Sequence, residues 1–179
     1  MKIRLIEPKP VGAHVFGTSA LPRLGLPLIA TVLAEKGYDV KVYVEGLAPV
    51  DWDDVTSADL VGLSATTATA PAAYAIADGF KYLSIPTVMG GSHVTFMADE
   101  ALEHCNYVIR GEGHYAIVEL LEALDGKRSL DDVAGLSYRK RDGCAVHNPE
   151  RGFCSLQEFQ SLPWPDLSLV TGHEVMFTK

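Results

Sequence analysis

The sequence predicts an α/β fold, a Rossmann-like (flavodoxin-like) doubly wound sheet of five parallel strands in the order 2-1-3-4-5. Strand-like runs alternate with helix-like segments from the start of the chain, which is typical of βαβ units. Several of these runs are nearly all apolar, as strands covered by helices on both faces must be. Right-handed crossovers limit the topology, and in this order a ligand crevice opens between the first and third strands.

The elements follow in order along the chain. Strands are expected over residues 2–7, 39–44, 60–64, 87–89 and 107–110, and helices over 26–36, 72–82, 98–104 and 115–124. The long loop before the first helix contains Pro22, and Gly25 and Pro27 fit the helix entry. Gly37 ends that helix. Gly90 and Gly91 end the fourth strand, where they permit either a tight turn or a close approach to a flat ligand.

Beyond residue 126 the pattern changes. Residues 127–160 are expected to form a β-hairpin appendage, with strands over 136–139 and 145–148 and the Asp142-Gly143 turn between them. Residues 161–179 are expected to be an extended linker, because Pro163 and Pro165 cannot continue a helix or a central strand. Residues 1–126 therefore form the predicted binding domain.

Composition excludes several classes of protein. A chain of 179 residues with 47% hydrophobic residues can build one sizeable core. A formal charge of -8 argues against nucleic-acid binding, which depends on clustered cations. The three cysteines form neither a CxxC pair nor a disulfide framework. No signal peptide and no apolar run of about 18 residues is visible, so a cytoplasmic protein without a membrane span is expected.

Candidate site residues follow three strand ends. Ser64 lies nearest the end of the third strand and is the favoured ligand contact. Thr66 and Thr67 are further candidate contacts, and the alternative is helix capping by Thr67 or Thr69. His93, after the paired glycines, is either a site residue or a hydrogen-bonding residue at a helix start. Parallel strands would bring these loops together at one sheet edge, the usual ligand site of such folds.

The third loop, residues 111–116, spells GxGxxA and formally suggests a dinucleotide-binding turn. It follows the fifth strand rather than the first, and Asp131 and Asp132 do not end a strand as a ribose-binding acid should. No P-loop and no GxSxG motif occur, and Ser64 stands where a receiver domain has its acceptor aspartate. The neutral rim suits a large, amide-rich ligand better than a polyphosphate.

An ordered set of motifs resembles the cobalamin-binding domain at the amino terminus of B12-dependent radical SAM proteins, the group that includes the anaerobic magnesium-protoporphyrin monomethyl ester cyclase. The resemblance covers nearly the whole chain. Its motifs are Leu24-Gly25-Leu26, Ala34-Glu35-Lys36-Gly37-Tyr38-Asp39-Val40, Gly62-Leu63-Ser64, Gly90-Gly91-Ser92-His93-Val94-Thr95, Arg110-Gly111-Glu112-Gly113, Gly135-Leu136-Ser137-Tyr138-Arg139, Asp142-Gly143 and Leu162-Pro163-Trp164-Pro165-Asp166.

The resemblance implies a base-off cobalamin, whose dimethylbenzimidazole tail enters the crevice at the strand ends. Five residues would line this tail: Ser64, Gly90, Gly91, Gly111 and Gly113. The other implied contacts are Ala65, Thr66, Thr67, Ser92, His93, Glu112 and His14.

Departures from the patterns of related families limit these implications. In the D-x-H-x-x-G motif of other cobalamin domains, His14 and Gly17 match, but Gly12 replaces the aspartate that orients the imidazole. No metal ligand is therefore assigned, and His14 is only a weak candidate for cobalt. His114 replaces a usual glutamate after Gly-Glu-Gly, and its role is unassigned.

The CxxxCxxC motif of a radical SAM cluster is absent. We therefore expect a cobalamin-binding module that is not catalytic alone, from a radical SAM methyltransferase or cyclase-like enzyme. Its barrel, with a 4Fe-4S cluster and S-adenosylmethionine, would follow Lys179. The alternatives are a flavin- or nucleotide-binding α/β domain and a non-catalytic interaction domain.

Overall fold

The computed structural model describes residues 1–12 and 22–177. The seven strands in these residues are β1 (Lys2–Glu7), β2 (Asp39–Val44), β3 (Leu60–Ser64), β4 (Thr87–Gly90), β5 (Tyr107–Ile109), β6 (Leu136–Arg139) and β7 (Ala145–His147). The α-helices are α1 (Gly25–Glu35), α2 (Trp52–Thr56), α3 (Ala70–Tyr82), α4 (Ser92–Phe96), α5 (Ala98–Ala101), α6 (Gly113–Leu124) and α7 (Leu156–Ser161). Short 3-10 helices cover Leu130–Asp132, Leu167–Leu169 and His173–Phe177.

The sheet confirms the predicted doubly wound core. Strands β1 to β5 are parallel and lie in the order β2-β1-β3-β4-β5. The register pairs Ser64 with Gly90, so the ends of β3 and β4 lie side by side at the carboxyl edge. The order reverses at β1, since β2 lies on one side of it and β3 on the other. This edge is the one at which open α/β sheets bind ligands.

Helices cover both faces of the sheet. Helices α1 and α6 pack on one face, against a core that includes Leu5 and Ile109. Helices α2 to α5 pack on the other face, where Ile6, Leu63 and Met89 are buried. Strands buried on both faces must be apolar on both, which explains why the runs do not alternate.

The predicted hairpin exists, but it is not a separate appendage. Strand β6 pairs antiparallel with β5, and β7 pairs antiparallel with β6, so the sheet has seven strands rather than five. Leu136 and Ser137 are fully buried. A hairpin with such residues has to pack against a larger surface, and the free edge of β5 provides it.

The predicted extended linker is folded over much of its length. Within residues 161–179, two short 3-10 helices cover Leu167–Leu169 and His173–Phe177, and the extended stretch is confined to the residues around Pro163 and Pro165. Helix α7, which begins with a capping box formed by Ser155 and Glu158, lies just before this segment, at the end of the predicted appendage. Farther on, Val170 is fully buried and bridges Val42 of β2. The chain thus runs from β7 at one edge of the sheet to β2 at the other.

A buried ion cluster lies on the α2 face. Arg4 is only 2% exposed, and its Nε donates to Asp54 Oδ2 at 2.6 Å. Its Nη1 also lies 3.1 Å from Asp39 Oδ1, and the Tyr43 hydroxyl donates to Asp54 Oδ2 at 2.7 Å. A buried guanidinium requires such partners, because an unpaired charge in the interior is very costly. In the part of the chain that the structure describes, no helix has the length and apolar character needed to cross a bilayer.

Candidate functional site

A cleft opens at the carboxyl edge of the sheet, between α1 and α6. Its volume is about 200 Å³. The lining residues are Leu5, Gly25, Leu26, Ile29, Gly62, Leu63, Ser64, Val88, Gly90, Gly91, Ile109, Gly111, Gly113 and Ile117. Except for Ser64, these are apolar residues or glycines. The cleft is therefore suited to a flat apolar group that meets a few polar atoms at its mouth.

The glycines bring backbone to the surface of the cleft. A Cβ added at Gly62 would lie 2.5 Å from Leu5 Cδ2, and one added at Gly113 would lie 3.2 Å from Ile29 Cδ1. At Gly90 the nearest atom to an added Cβ is 3.9 Å away, so the space beside this residue is open. Side chains at these positions would occupy the cleft or displace its walls. The cleft is therefore open because glycines, which have no side chain, stand at these positions.

Two of the site loops are held together by backbone hydrogen bonds. The Ala65 N–H donates to Gly90 O at 2.8 Å, and the His93 N–H donates to Ala65 O at 3.2 Å. Gly91 has a φ of 106°, in the region that favours glycine. The relative position of Ser64 and the paired glycines is therefore fixed by main chain rather than by side-chain packing.

The threonines of the loop after β3 make contacts within the protein and do not line the cleft. Thr69 Oγ1 accepts from the Thr66 N–H at 2.9 Å, so this hydroxyl supports the turn before α3. Thr67 Oγ1 lies 3.2 Å from His93 Nδ1, a contact that joins the loops after β3 and β4. Neither Thr66 nor Thr67 lines the cleft. His93 Nε2 lies 3.7 Å from a carboxylate oxygen of Glu100.

Charged groups stand near the mouth of the cleft on the β1 and β3 side. Arg23 Nε donates to Glu7 Oε1 at 2.9 Å, and its Nη2 donates to the Ser64 carbonyl oxygen at 3.4 Å. The Arg23 N–H also donates to Glu7 Oε2 at 3.1 Å. This ion pair fixes the chain just before α1, and the Ser64 side chain remains in the lining.

The structure brings five of the predicted site residues into the lining: Ser64, Gly90, Gly91, Gly111 and Gly113. Five others lie outside it: Thr66, Thr67, Ser92, His93 and Glu112. Ala65 is fully buried behind the paired glycines and does not line the cleft either. His14 lies outside the described residues.

The apolar walls were missed from sequence. Leu26 and Ile29 of α1 and Ile117 of α6 face each other across the cleft, and Val88 and Ile109 belong to its floor. Their pattern is that of core residues, and no sequence signal separates the two roles. The sequence indicated that Gly25 begins a helix, but it did not indicate that Gly25 lines a binding site.

The family model described as the B12 binding domain matches residues 13–121, which is more than half of the chain. The chain belongs to the B12-binding domain family. In this B12-binding domain, the matched span includes four of the five parallel strands, all of α1 and most of α6.

Relatives of this B12-binding domain are longer proteins. An uncharacterized methyltransferase of Pyrococcus horikoshii is 35% identical, over 95% of this chain and 39% of the relative. The anaerobic magnesium-protoporphyrin IX monomethyl ester cyclase of Rubrivivax gelatinosus is 28% identical, over 83% of this chain and 30% of the relative. The chain thus spans less than two fifths of either protein.

A solved structure supports the fold. The cobalamin-dependent S-adenosylmethionine radical enzyme OxsB, with aqua-cobalamin and S-adenosylmethionine bound, superposes with a TM-score of 0.78 at 19% identity. The match covers 98% of this chain and 25% of OxsB. The similarity extends beyond residue 121, so it includes the hairpin strands and the C-terminal segment.

Proposed function

We propose that this chain binds cobalamin and places the dimethylbenzimidazole tail, detached from cobalt, in the cleft between α1 and α6. The observation that carries the proposal is the glycine-lined cradle at the carboxyl edge. A benzimidazole is flat and largely apolar, and the cleft offers apolar walls from Ile29 and Ile117. Gly62 and Gly113 leave room for a ring to approach the backbone. The residues present therefore fit the group.

Polar contacts would come from the rim. Ser64 is placed to hydrogen-bond a nitrogen of the tail or an atom of its nucleotide, since its side chain lines the cleft. Thr66 and Thr67 follow Ser64 closely in the chain, and we propose that they contact the corrin amides outside the cleft. Main-chain N–H and C=O groups of the glycine loops add hydrogen-bond donors and acceptors. His14 remains a proposed contact.

The chain's own part in a reaction is to bind and orient. Bound cobalamin would supply a methyl carrier or a redox centre. We propose that the full protein is a B12-dependent radical SAM enzyme whose barrel, with a 4Fe-4S cluster and S-adenosylmethionine, follows Lys179 in cis. The binding unit would then comprise residues 1–126, with the hairpin as an extension of its sheet.

Retention of hydroxocobalamin tests the proposal. The purified chain is mixed with hydroxocobalamin and desalted, and the corrin absorption that co-elutes with protein is measured. We expect about one equivalent with a perturbed spectrum. Loss of all corrin at high protein concentration would overturn the proposal, and retention of a flavin or NAD instead would favour a nucleotide-binding domain.

A matched pair of variants locates the tail. Gly113→Leu puts a side chain into the cleft beside Ile29, and we expect at least about tenfold weaker binding, equivalent to about 1.4 kcal/mol. Gly79→Leu adds the same side chain to the exposed surface of α3, where an added Cβ meets nothing within 4 Å. The control should bind as the wild type does. Equal binding by both variants would place the tail elsewhere.

A further inference from the structure

A cluster of three different metal-ligating side chains lies just outside the cleft. Glu112, His114 and Cys154 each offer one ligand atom, and these atoms lie within 4.8 Å of one another. Glu112 and His114 flank Gly113, the first residue of α6, whereas Cys154 comes from the segment before α7. The cluster therefore joins two parts of the chain that are distant in sequence. We propose that it binds a zinc ion.

The Glu112 carboxylate is already held in a ligating orientation. Its Oε2 accepts from the Cys154 backbone N–H at 3.0 Å, which fixes the carboxylate from one side. Its Oε1 lies 3.6 Å from Cys154 Sγ. In a tetrahedral zinc site with bonds of about 2.0 to 2.3 Å, neighbouring ligand atoms lie about 3.3 to 3.8 Å apart. The oxygen and sulfur are thus spaced as two ligands of one ion.

The third side chain is buried with unused bonding capacity. His114 is 7% exposed, and its Nε2 has no hydrogen-bond partner among the residues that the structure describes. A buried ring nitrogen without a partner is costly, because it has lost water and gained nothing in return. A bound cation would remove this cost. The three ligand atoms lie within 4.8 Å of one another, so an adjustment of about 1 Å would bring the imidazole to the ligand spacing of a tetrahedral site.

The ligand types favour zinc over magnesium and calcium. Magnesium and calcium prefer sites built wholly from oxygen, and a thiolate with an imidazole does not suit them. Zinc accepts sulfur, nitrogen and oxygen together in four-coordinate sites. One carboxylate and one thiolate, with a neutral imidazole, balance its charge of two. Three protein ligands leave a fourth position for water.

The ion would link the segment before α7 to the loop between β5 and α6. Glu112 lies between Gly111 and Gly113, which both line the cleft. Cys154 directly precedes the capping residue Ser155 of α7. Zinc binding would therefore couple the position of α7 to the shape of the cleft. The site needs no cobalamin, so it can be tested independently of the proposed function.

Metal titration of the untagged 179-residue chain, without cobalamin, is the test. The protein is stripped with EDTA and titrated with Zn²⁺ against a chromogenic chelator. We expect one equivalent to bind and the thermal midpoint to rise. With Co²⁺ as a probe, a thiolate-to-metal absorption band in the near ultraviolet and visible bands of a tetrahedral ion should appear.

Two cysteine variants decide the outcome. Cys154 is half-buried, and Cys154→Ser should abolish the thiolate band and weaken zinc binding at least about tenfold. Cys144→Ser, at an exposed cysteine in the hairpin, should leave both unchanged. His114→Ala should also weaken binding, with circular dichroism as the check on its fold. No zinc binding by the wild type, or equal binding by Cys154→Ser, would overturn the proposal.

Discussion

Gly91 lies against the backbone of Ala65 so closely that no side chain fits between them. A Cβ at position 91 would lie 2.5 Å from the Ala65 carbonyl oxygen and 3.0 Å from its nitrogen. Backbone atoms that are themselves hydrogen-bonded cannot move aside cheaply. The contact therefore sets the distance between the loops that follow β3 and β4, and with it one end of the cleft.

Substitution of the two adjacent glycines should have unequal effects. Gly91→Ala combines a strained φ with a backbone clash, and we expect a loss of at least about 2 kcal/mol in the free energy of unfolding. Gly90→Ala meets its nearest atom at 3.9 Å, and should change stability by less than about 1 kcal/mol. Urea denaturation of both variants measures the difference. Similar losses would contradict the contact between Gly91 and Ala65.

Removal of Asp54 should strongly destabilise the fold. Asp54→Ala leaves the buried Arg4 guanidinium without its main partner, and we expect a loss of about 3 to 5 kcal/mol in the free energy of unfolding. Asp53→Ala, an exposed neighbour on the same helix, should cost less than about 1 kcal/mol. Chemical denaturation at pH 7 compares them. A small effect at Asp54 would mean that water reaches Arg4.

Acid should weaken the same cluster. The hydrogen bond from Arg4 holds the pKa of Asp54 well below its usual value. A lowered folded-state pKa stabilises the protein fully above the unfolded value of about 3.9, and this stabilisation is lost as pH falls through the folded pKa. The urea midpoint of the wild type should therefore fall between pH 5 and pH 2. In Asp54→Ala the fall should be shallower, and parallel curves would refute the link.

The cysteines should differ in reactivity. Burial raises the pKa of Cys105 to about 12, so its thiolate is scarce at pH 8. Cys144 is exposed and should react first with a chromogenic disulfide reagent. Cys144→Ser should remove the fast phase, while Cys105 should react only after unfolding in urea. Rapid reaction of Cys105 in the folded chain would mean that its surroundings open.

Loss of the Val170 side chain tests whether the C-terminal segment belongs to the folded unit. Val170 is fully buried against the α1 face, and Val170→Ala should cost about 2 kcal/mol in the free energy of unfolding. Leu156, in the same segment, is 72% exposed, and Leu156→Ala should change stability by less than about 0.5 kcal/mol. Unchanged stability in Val170→Ala would show that the segment detaches without consequence.

Local patterns sufficed for the first five strands. Short apolar runs indicate buried strands without reference to a distant partner, and Ser64 and Gly90 mark the ends of β3 and β4. Helix α2 was not predicted, although Asp51 caps its start. The Asp51 side chain accepts a hydrogen bond from the Asp54 N–H at 3.1 Å. That capping residue was a signal available in the sequence.

Distant pairings were not accessible in this way. The addition of the hairpin to the sheet depends on Val108 meeting Ser137, and the burial of Arg4 depends on Asp54, 50 residues away. For the site, glycines were informative because few roles require them. Ile29 and Ile117 were not informative, because an apolar side chain that faces a ligand looks the same in sequence as one that faces the core.

The bridge between Val42 and Val170 also has a consequence for solution behaviour. Strand β2 is the outermost strand on its side of the sheet, and an open strand edge invites pairing with another molecule. The Thr171 N–H donates to Val42 O at 2.9 Å, which occupies a backbone acceptor near the middle of that edge. A strand from a second molecule would first have to displace this segment. The last turns of the chain therefore also protect the protein against self-association through β2.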